Sequence, residues 1–212
     1  MIRGFHVHHN VVNTSPIESP SLQMLSVEQF PPGLHIKPPA LKELYLGGAL
    51  RADIHTAGTL LRGVCSLKTL SFFVDHFHDA RLVEWTLELD DLIFFCDDTT
   101  SPEAFQSVLQ SLGSHSTVYS LTRISINIWN PKPSSSGPSI SIMHVLLTII
   151  KSWEKNQFPK LRSVFVHVSD DRSEAITFTI ADLMRVGADR GLGIEVNSSP
   201  LTTEFLLPFW FW

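Results

Sequence analysis

The densest group of chemically able side chains is Asp75-His76-Phe77-His78-Asp79, with two carboxylates and two imidazoles in five residues. It follows the apolar run Leu70-Ser-Phe-Phe-Val74, so it falls just past the end of an expected strand, where binding loops tend to lie. A metal-assisted hydrolase would need three such ligands on rigid supports with one coordination position left open. Here all four groups crowd one short loop, and no second ligand set accompanies them. A polar turn with an acidic helix cap accounts for the same residues. The small hydrolase using Asp75–Asp79 therefore stands as the alternative reading.

His6, His8 and His9 have imidazoles spaced for a transition metal, yet no cysteine or carboxylate lies near them in sequence. A solvated segment is the ordinary account. Asp97-Asp98 and Asp170-Asp171 each follow an apolar run and fit turn or cap roles. No G-x-S-x-G elbow, P-loop or G-x-G-x-x-G is present, and Gly47-Gly48 fits a tight turn after a strand. The sequence thus argues for a non-catalytic chain with no metal and no cofactor.

The elements that would carry these residues repeat. Leu22-Gln-Met-Leu25-Ser-Val27, Leu41-Lys-Glu-Leu44-Tyr-Leu46 and Leu67-Lys-Thr-Leu70-Ser-Phe72 share the pattern L-x-x-L-x-L. Looser copies are Leu82-Val-Glu-Trp85-Thr-Leu87, Leu121-Thr-Arg-Ile124-Ser-Ile126 and Leu161-Arg-Ser-Val164-Phe-Val166. The last three positions alternate at period two, which suits a short strand with one buried face. Between opening leucines the steps are 19, 26, 15, 39 and 40 residues. Leucine-rich repeats run about 20–29 residues, so the first three steps lie near that range and the last two are long.

Helical spacing fills most of the inserts. Ile54, Ala57, Leu60, Leu61 and Val64 form one apolar stripe. Phe105, Val108, Leu109 and Leu112 form another after Ser101-Pro102-Glu103, where serine caps and proline takes the first turn. Ile142, Leu146, Ile149, Ile150 and Trp153 make the strongest stripe, with His144, Lys151 and Lys155 expected towards solvent. It follows the loop Pro131–Pro138. Ile176, Ile180, Leu183, Met184 and Gly187 predict a last helix ended by a turn at Gly191, and Leu192–Val196 predicts a further strand. Alternating strands and helices give a mostly parallel sheet with helices on its outer side. The predicted fold is an α/β leucine-rich-repeat-like solenoid over residues 21–199. An irregular amino-terminal segment, 1–20, precedes it, and an apolar tail, 200–212, follows. Four consecutive aromatics, Phe209 to Trp212, end that tail and are expected to dock as a hydrophobic cap.

Composition narrows the function classes. Hydrophobic residues make up 43% and charged residues 17% of the 212, which places the chain among globular proteins and not disordered ones. A formal charge of −5 without a long Lys/Arg run disfavours nucleic acid and anionic membranes as partners. Cys65 and Cys96 are too few for a disulfide scaffold and read as buried thiols. The first nine residues contain no apolar signal core, and Val145–Ile150 is far shorter than a span of about 20 residues. An intracellular chain, cytoplasmic or nuclear, is the expectation.

Phe30-Pro-Pro-Gly33 followed by Pro38-Pro-Ala-Leu41-Lys-Glu-Leu44 resembles the leucine-rich region of basidiomycete F-box proteins. Phe158-Pro-Lys-Leu161-Arg-Ser-Val164 and Ala188-Asp-Arg-Gly191-Leu-Gly-Ile194-Glu-Val196 are similar to it as well. The resemblance spans roughly residues 20 to 197. It implies repeats that present a substrate to a ubiquitin ligase, which such proteins reach through an amino-terminal F-box. No helical L-P-x-E-type opening precedes the repeats here.

A protein partner would meet the sheet face opposite the helices. Period-two alternation places Ser26, Tyr45, Ser71, Thr86, Ser125 and Phe165 in one row of that face. A second row, two residues on, holds Glu28, Gly47, Phe73, Glu88, Asn127 and His167. Tyr45, Phe73 and Phe165 are the candidate anchors, with Glu88, Asn127 and His167 beside them. If instead the inserts fold over this face, these side chains form a second core layer.

Overall fold

A computed structural model describes residues 4–7, 17–18, 20–27, 36–37, 39–47, 64, 66–74, 89–97, 100–112, 120–129, 138–153, 158–168 and 174–198. The strands are β1 (Gly4–Val7), β2 (Ile17–Glu18), β3 (Met24–Val27), β4 (Ile36–Lys37), β5 (Glu43–Leu46), β6 (Thr69–Phe73), β7 (Asp91–Cys96), β8 (Arg123–Ile128), β9 (Ser163–Val168) and β10 (Gly193–Ser198). Three helices are described: α1 (Pro102–Leu112), α2 (Pro138–Ser152) and α3 (Glu174–Asp189).

The architecture is α/β. Eight strands form one sheet in the order β1-β3-β5-β6-β7-β8-β9-β10, and every pairing is parallel. β2 and β4 form a separate two-stranded parallel ribbon from the connections between β1, β3 and β5. Gly4, Met24, Glu43, Thr69, Asp91, Arg123, Ser163 and Gly193 share one rung, giving steps of 20, 19, 26, 22, 32, 40 and 30 residues. Connections of very different length therefore return the chain to the same register.

One hydrogen-bond device recurs at each return. The carbonyl of Gln23 accepts from the N–H groups of Lys42 (2.8 Å) and Glu43 (3.0 Å), and that of Lys42 from Lys68 (2.8 Å) and Thr69 (2.9 Å). Lys68, Asp90 and Thr122 repeat the double acceptance from the following unit, and Arg162 accepts from Gly193 at 2.9 Å. Small side chains brace the same edge. Ser66 Oγ donates to the Leu41 carbonyl (2.9 Å), and Ser120 Oγ donates to that of Leu89 (2.8 Å).

The core lies on the helix-covered face. Leu25, Leu44, Leu70, Leu92, Ile124 and Val164 occupy one rung, and none has accessible surface. Val27, Leu46, Phe72, Phe94, Ile126 and Val166 form the next buried rung. Phe94 stands edge-on to Phe72 at 5.2 Å and to Phe105 of α1 at 6.0 Å, an arrangement that aromatic quadrupoles favour.

Three helix ends have a reason in the sequence. Ser101 caps α1, since its Oγ accepts from the N–H of Ala104 (3.1 Å) and donates to Glu103 (2.9 Å). On α2 the expected stripe Ile142, Leu146, Ile149, Ile150 and Trp153 is buried, while His144 and Lys151 are exposed. Arg190 donates to the carbonyls of Lys151 and Trp153, so a cation from the end of α3 closes the carboxyl end of α2. α3 ends as expected at Gly191, whose φ of 68° lets the Leu192 N–H reach the Gly187 carbonyl (2.9 Å). Within α3, Leu183 is buried and Met184 is half exposed.

Two boundaries differ from the sequence reading. The unit between Leu67 and Leu121 in the sheet is Leu89-Asp-Asp-Leu92-Ile-Phe94, and Leu82–Leu87 lies outside the described residues. Ile93 and Phe95 are apolar where the pattern expects polar residues, so the alternation disappears into Leu92-Ile-Phe-Phe-Cys96. The sheet also begins before residue 21, because β1 pairs in register with β3.

Candidate functional site

The face opposite the helices carries the alternate residues of the same strands. Its central rung reads Ser26, Tyr45, Ser71, Ile93, Ser125, Phe165 and Glu195. Large and small residues alternate from strand to strand. Tyr45, Ile93 and Phe165 are partly exposed, whereas Ser26 and Ser71 are buried. Strands lie about 4.8 Å apart, so each of these ridges stands roughly 9.6 Å from the next.

Charges line the rung below. Asp91 and Arg123 are cross-strand neighbours joined at 2.8 Å, and Lys68 lies 3.6 Å from Asp90 at the strand entrance. Glu43 accepts a 3.0 Å hydrogen bond from Tyr45 Oη. Burial first, and then the charge and hydrogen bond of Glu43, push the Tyr45 phenol well above the usual tyrosine range. This ring is therefore an uncharged aromatic donor fixed in one orientation.

The rung above is closed at Phe95, Asn127 and His167. Phe73 and Phe95 form a tilted pair at 5.3 Å, with Phe95 buried and Phe73 partly exposed. Asn127 is 7% exposed and His167 has no accessible surface, so neither is available to a partner. The sequence places both on this face, as the register confirms, but not the burial that removes them from its surface. Of the six candidate residues, Tyr45 and Phe165 share the accessible rung, and Phe73 lies one rung above. Glu88, Thr86 and Glu28 lie outside the described residues.

Sequence reasoning missed Ile93 and the Asp91–Arg123 pair, because both belong to the unit hidden in the continuous apolar run. The available signal was the L-x-x-L-x-F spacing of Leu89, Leu92 and Phe94.

The residues with chemical potential resolve in part. Asp97 forms a turn, with its N–H bonded to Thr100 Oγ1 at 2.8 Å and its carbonyl to the Thr100 N–H at 3.1 Å. Cys96 is fully buried. His6 falls within β1, and Cys65, Asp75–Asp79, His8, His9, Asp98 and Asp170-Asp171 lie outside the described residues. Among the described residues no three His, Cys, Asp or Glu gather as a metal site, and no helix is long and apolar enough to cross a membrane. No family model, curated protein or solved structure matches this chain.

Proposed function

We propose that the chain is a leucine-rich-repeat-like solenoid that acts as a non-catalytic protein-interaction module. It binds its partner on the sheet face opposite the helices. The observation that carries this reading is the central rung, where Tyr45, Ile93 and Phe165 stand partly exposed between serines, above the Asp91–Arg123 pair. Aromatic and large aliphatic anchors with a charged rim suit a protein surface better than a small substrate. The shared register of the strands and the repeated double hydrogen bond support the solenoid. The resemblance to fungal F-box proteins supports a ubiquitin ligase substrate as the class of partner.

Site-specific photocrosslinking in cells tests the face. A photoreactive residue at Tyr45, Ile93 or Phe165 is expected to yield one shared adduct, and one at Thr148 or Lys151 on the helix side none. Adducts arising only from the helix side would overturn the assignment.

A further inference from the structure

β10 is the last strand of the sheet and pairs only with β9 among the described residues. It is six residues long and carries no proline, lysine or described bulge, the usual means of blunting an edge. The Gly193 N–H turns inward to the Arg162 carbonyl (2.9 Å). Backbone direction alternates along a strand, so Glu195 and Asn197 also turn their N–H and C=O groups towards β9, and Ile194, Val196 and Ser198 turn theirs outward.

We infer that this edge joins a second copy of the chain, β10 against β10 in antiparallel orientation about a two-fold axis through Val196. Four constraints select that register. Residues facing each other across antiparallel strands must share a sheet face, so the axis passes through a residue and not between two. An axis at Glu195 would set two carboxylates opposite each other. An axis at Gly193 or Ile194 would draw on the Leu192 N–H, which already serves the Gly187 carbonyl, and one at Asn197 or Ser198 would leave Ile194 with no β10 residue of the second copy opposite it. With the axis at Val196, the two Val196 residues exchange both backbone bonds, and Ile194 pairs with Ser198 of the second copy. Every outward N–H and C=O of β10 is then satisfied. On the other face, exposed Glu195 of each copy meets exposed Asn197 of its mate, a carboxylate opposite an amide donor, twice.

The flanking helix fits the same occupant. Gly187 of α3 packs directly on Ile194, and partly buried Ile180 and half-exposed Met184 share that side of the helix two turns and one turn earlier. A two-fold axis at β10 brings this side of α3 towards its equivalent. An isologous contact of this kind closes after two copies, so it gives a dimer and not a filament.

Sedimentation velocity of the full chain across a concentration series tests the dimer. The wild type is expected to dimerise. Asn197→Asp places carboxylates opposite each other twice and is expected to weaken the dimer by roughly tenfold or more without unfolding this exposed site. Adding Glu195→Lys to Asn197→Asp restores attraction across the axis and is expected to restore the dimer. A wild type that stays monomeric into the tens of micromolar overturns the inference, as does a dimer indifferent to Asn197→Asp. A chain that dimerises only after removal of residues 199–212 assigns the edge to that segment, and overturns it equally.

Discussion

The two faces of this sheet are built from neighbouring residues of the same strands, yet they follow different rules. On the helix face every described position from Leu25 to Val164 along one rung is aliphatic and fully buried. Across the pleat, serines alternate with Tyr45, Ile93 and Phe165, and burial varies from complete at Ser71 to partial at Phe165. The first face is one continuous core, where any one residue is held by units on both sides. The second is a corrugated surface whose residues answer to no shared volume constraint. A fully buried rung and a partly exposed one are thus separated by a single step along the backbone.

Substitution on the two faces can break this contrast. Phe94→Ala removes a fully buried ring that touches both Phe72 and Phe105, and is expected to cost about 3–5 kcal/mol in denaturant unfolding. A loss below about 1 kcal/mol would mean that this face is not a packed core. Next is Gly187→Val. A Cβ at this position would stand 2.5 Å from Ile194 Cγ1 and 2.9 Å from the Leu192 carbonyl, so helix and sheet must separate, at about 1–3 kcal/mol. Gly187→Val with an unchanged melting temperature would show that α3 does not lie so close to β10.

The open face is expected to respond less. Phe165→Ser should cost under about 1 kcal/mol while abolishing partner crosslinking, so that unfolding and binding measurements diverge. Equal loss in both would merge the two faces into one core. Arg123→Ala breaks an ion pair whose arginine side chain is 51% exposed, and about 0.2–1 kcal/mol is expected, shrinking further in high salt. The smallest effect is confined to alkaline solution. Because the Tyr45 phenol is pushed up in the folded state, its contribution is complete below the ordinary tyrosine range and is lost as pH rises through the folded value. Tyr45→Phe should therefore flatten the alkaline fall in stability. An unchanged slope would mean that the phenol is neither enclosed nor held by Glu43 as described.

What the sequence revealed follows the same division. Leu25, Leu44, Leu70, Ile124 and Val164 mark their strands because burial on one face forces an apolar residue every second position. Ser101-Pro102-Glu103 marked the start of α1, and Gly191 the end of α3, because backbone groups at helix ends have local solutions. The unit at Leu89 escaped because Ile93 and Phe95 erase the alternation by which a strand is recognised. Burial of Asn127 and His167 was not legible either. A polar side chain carries no sign of whether neighbours distant in sequence will enclose it.

The doubled acceptance at Gln23, Lys42, Lys68, Asp90 and Thr122 has a consequence for how the molecule opens. Each of these links joins one unit only to the next, so unfolding should proceed by peeling and not everywhere at once. Amide hydrogen exchange ought then to form a gradient, slowest at Thr69, Asp91 and Arg123 in the middle of the sheet and quicker towards either end. The steps from strand to strand range from 19 to 40 residues without altering that chain of links. Sequence can therefore be inserted between rungs while the order in which protection is lost stays the same.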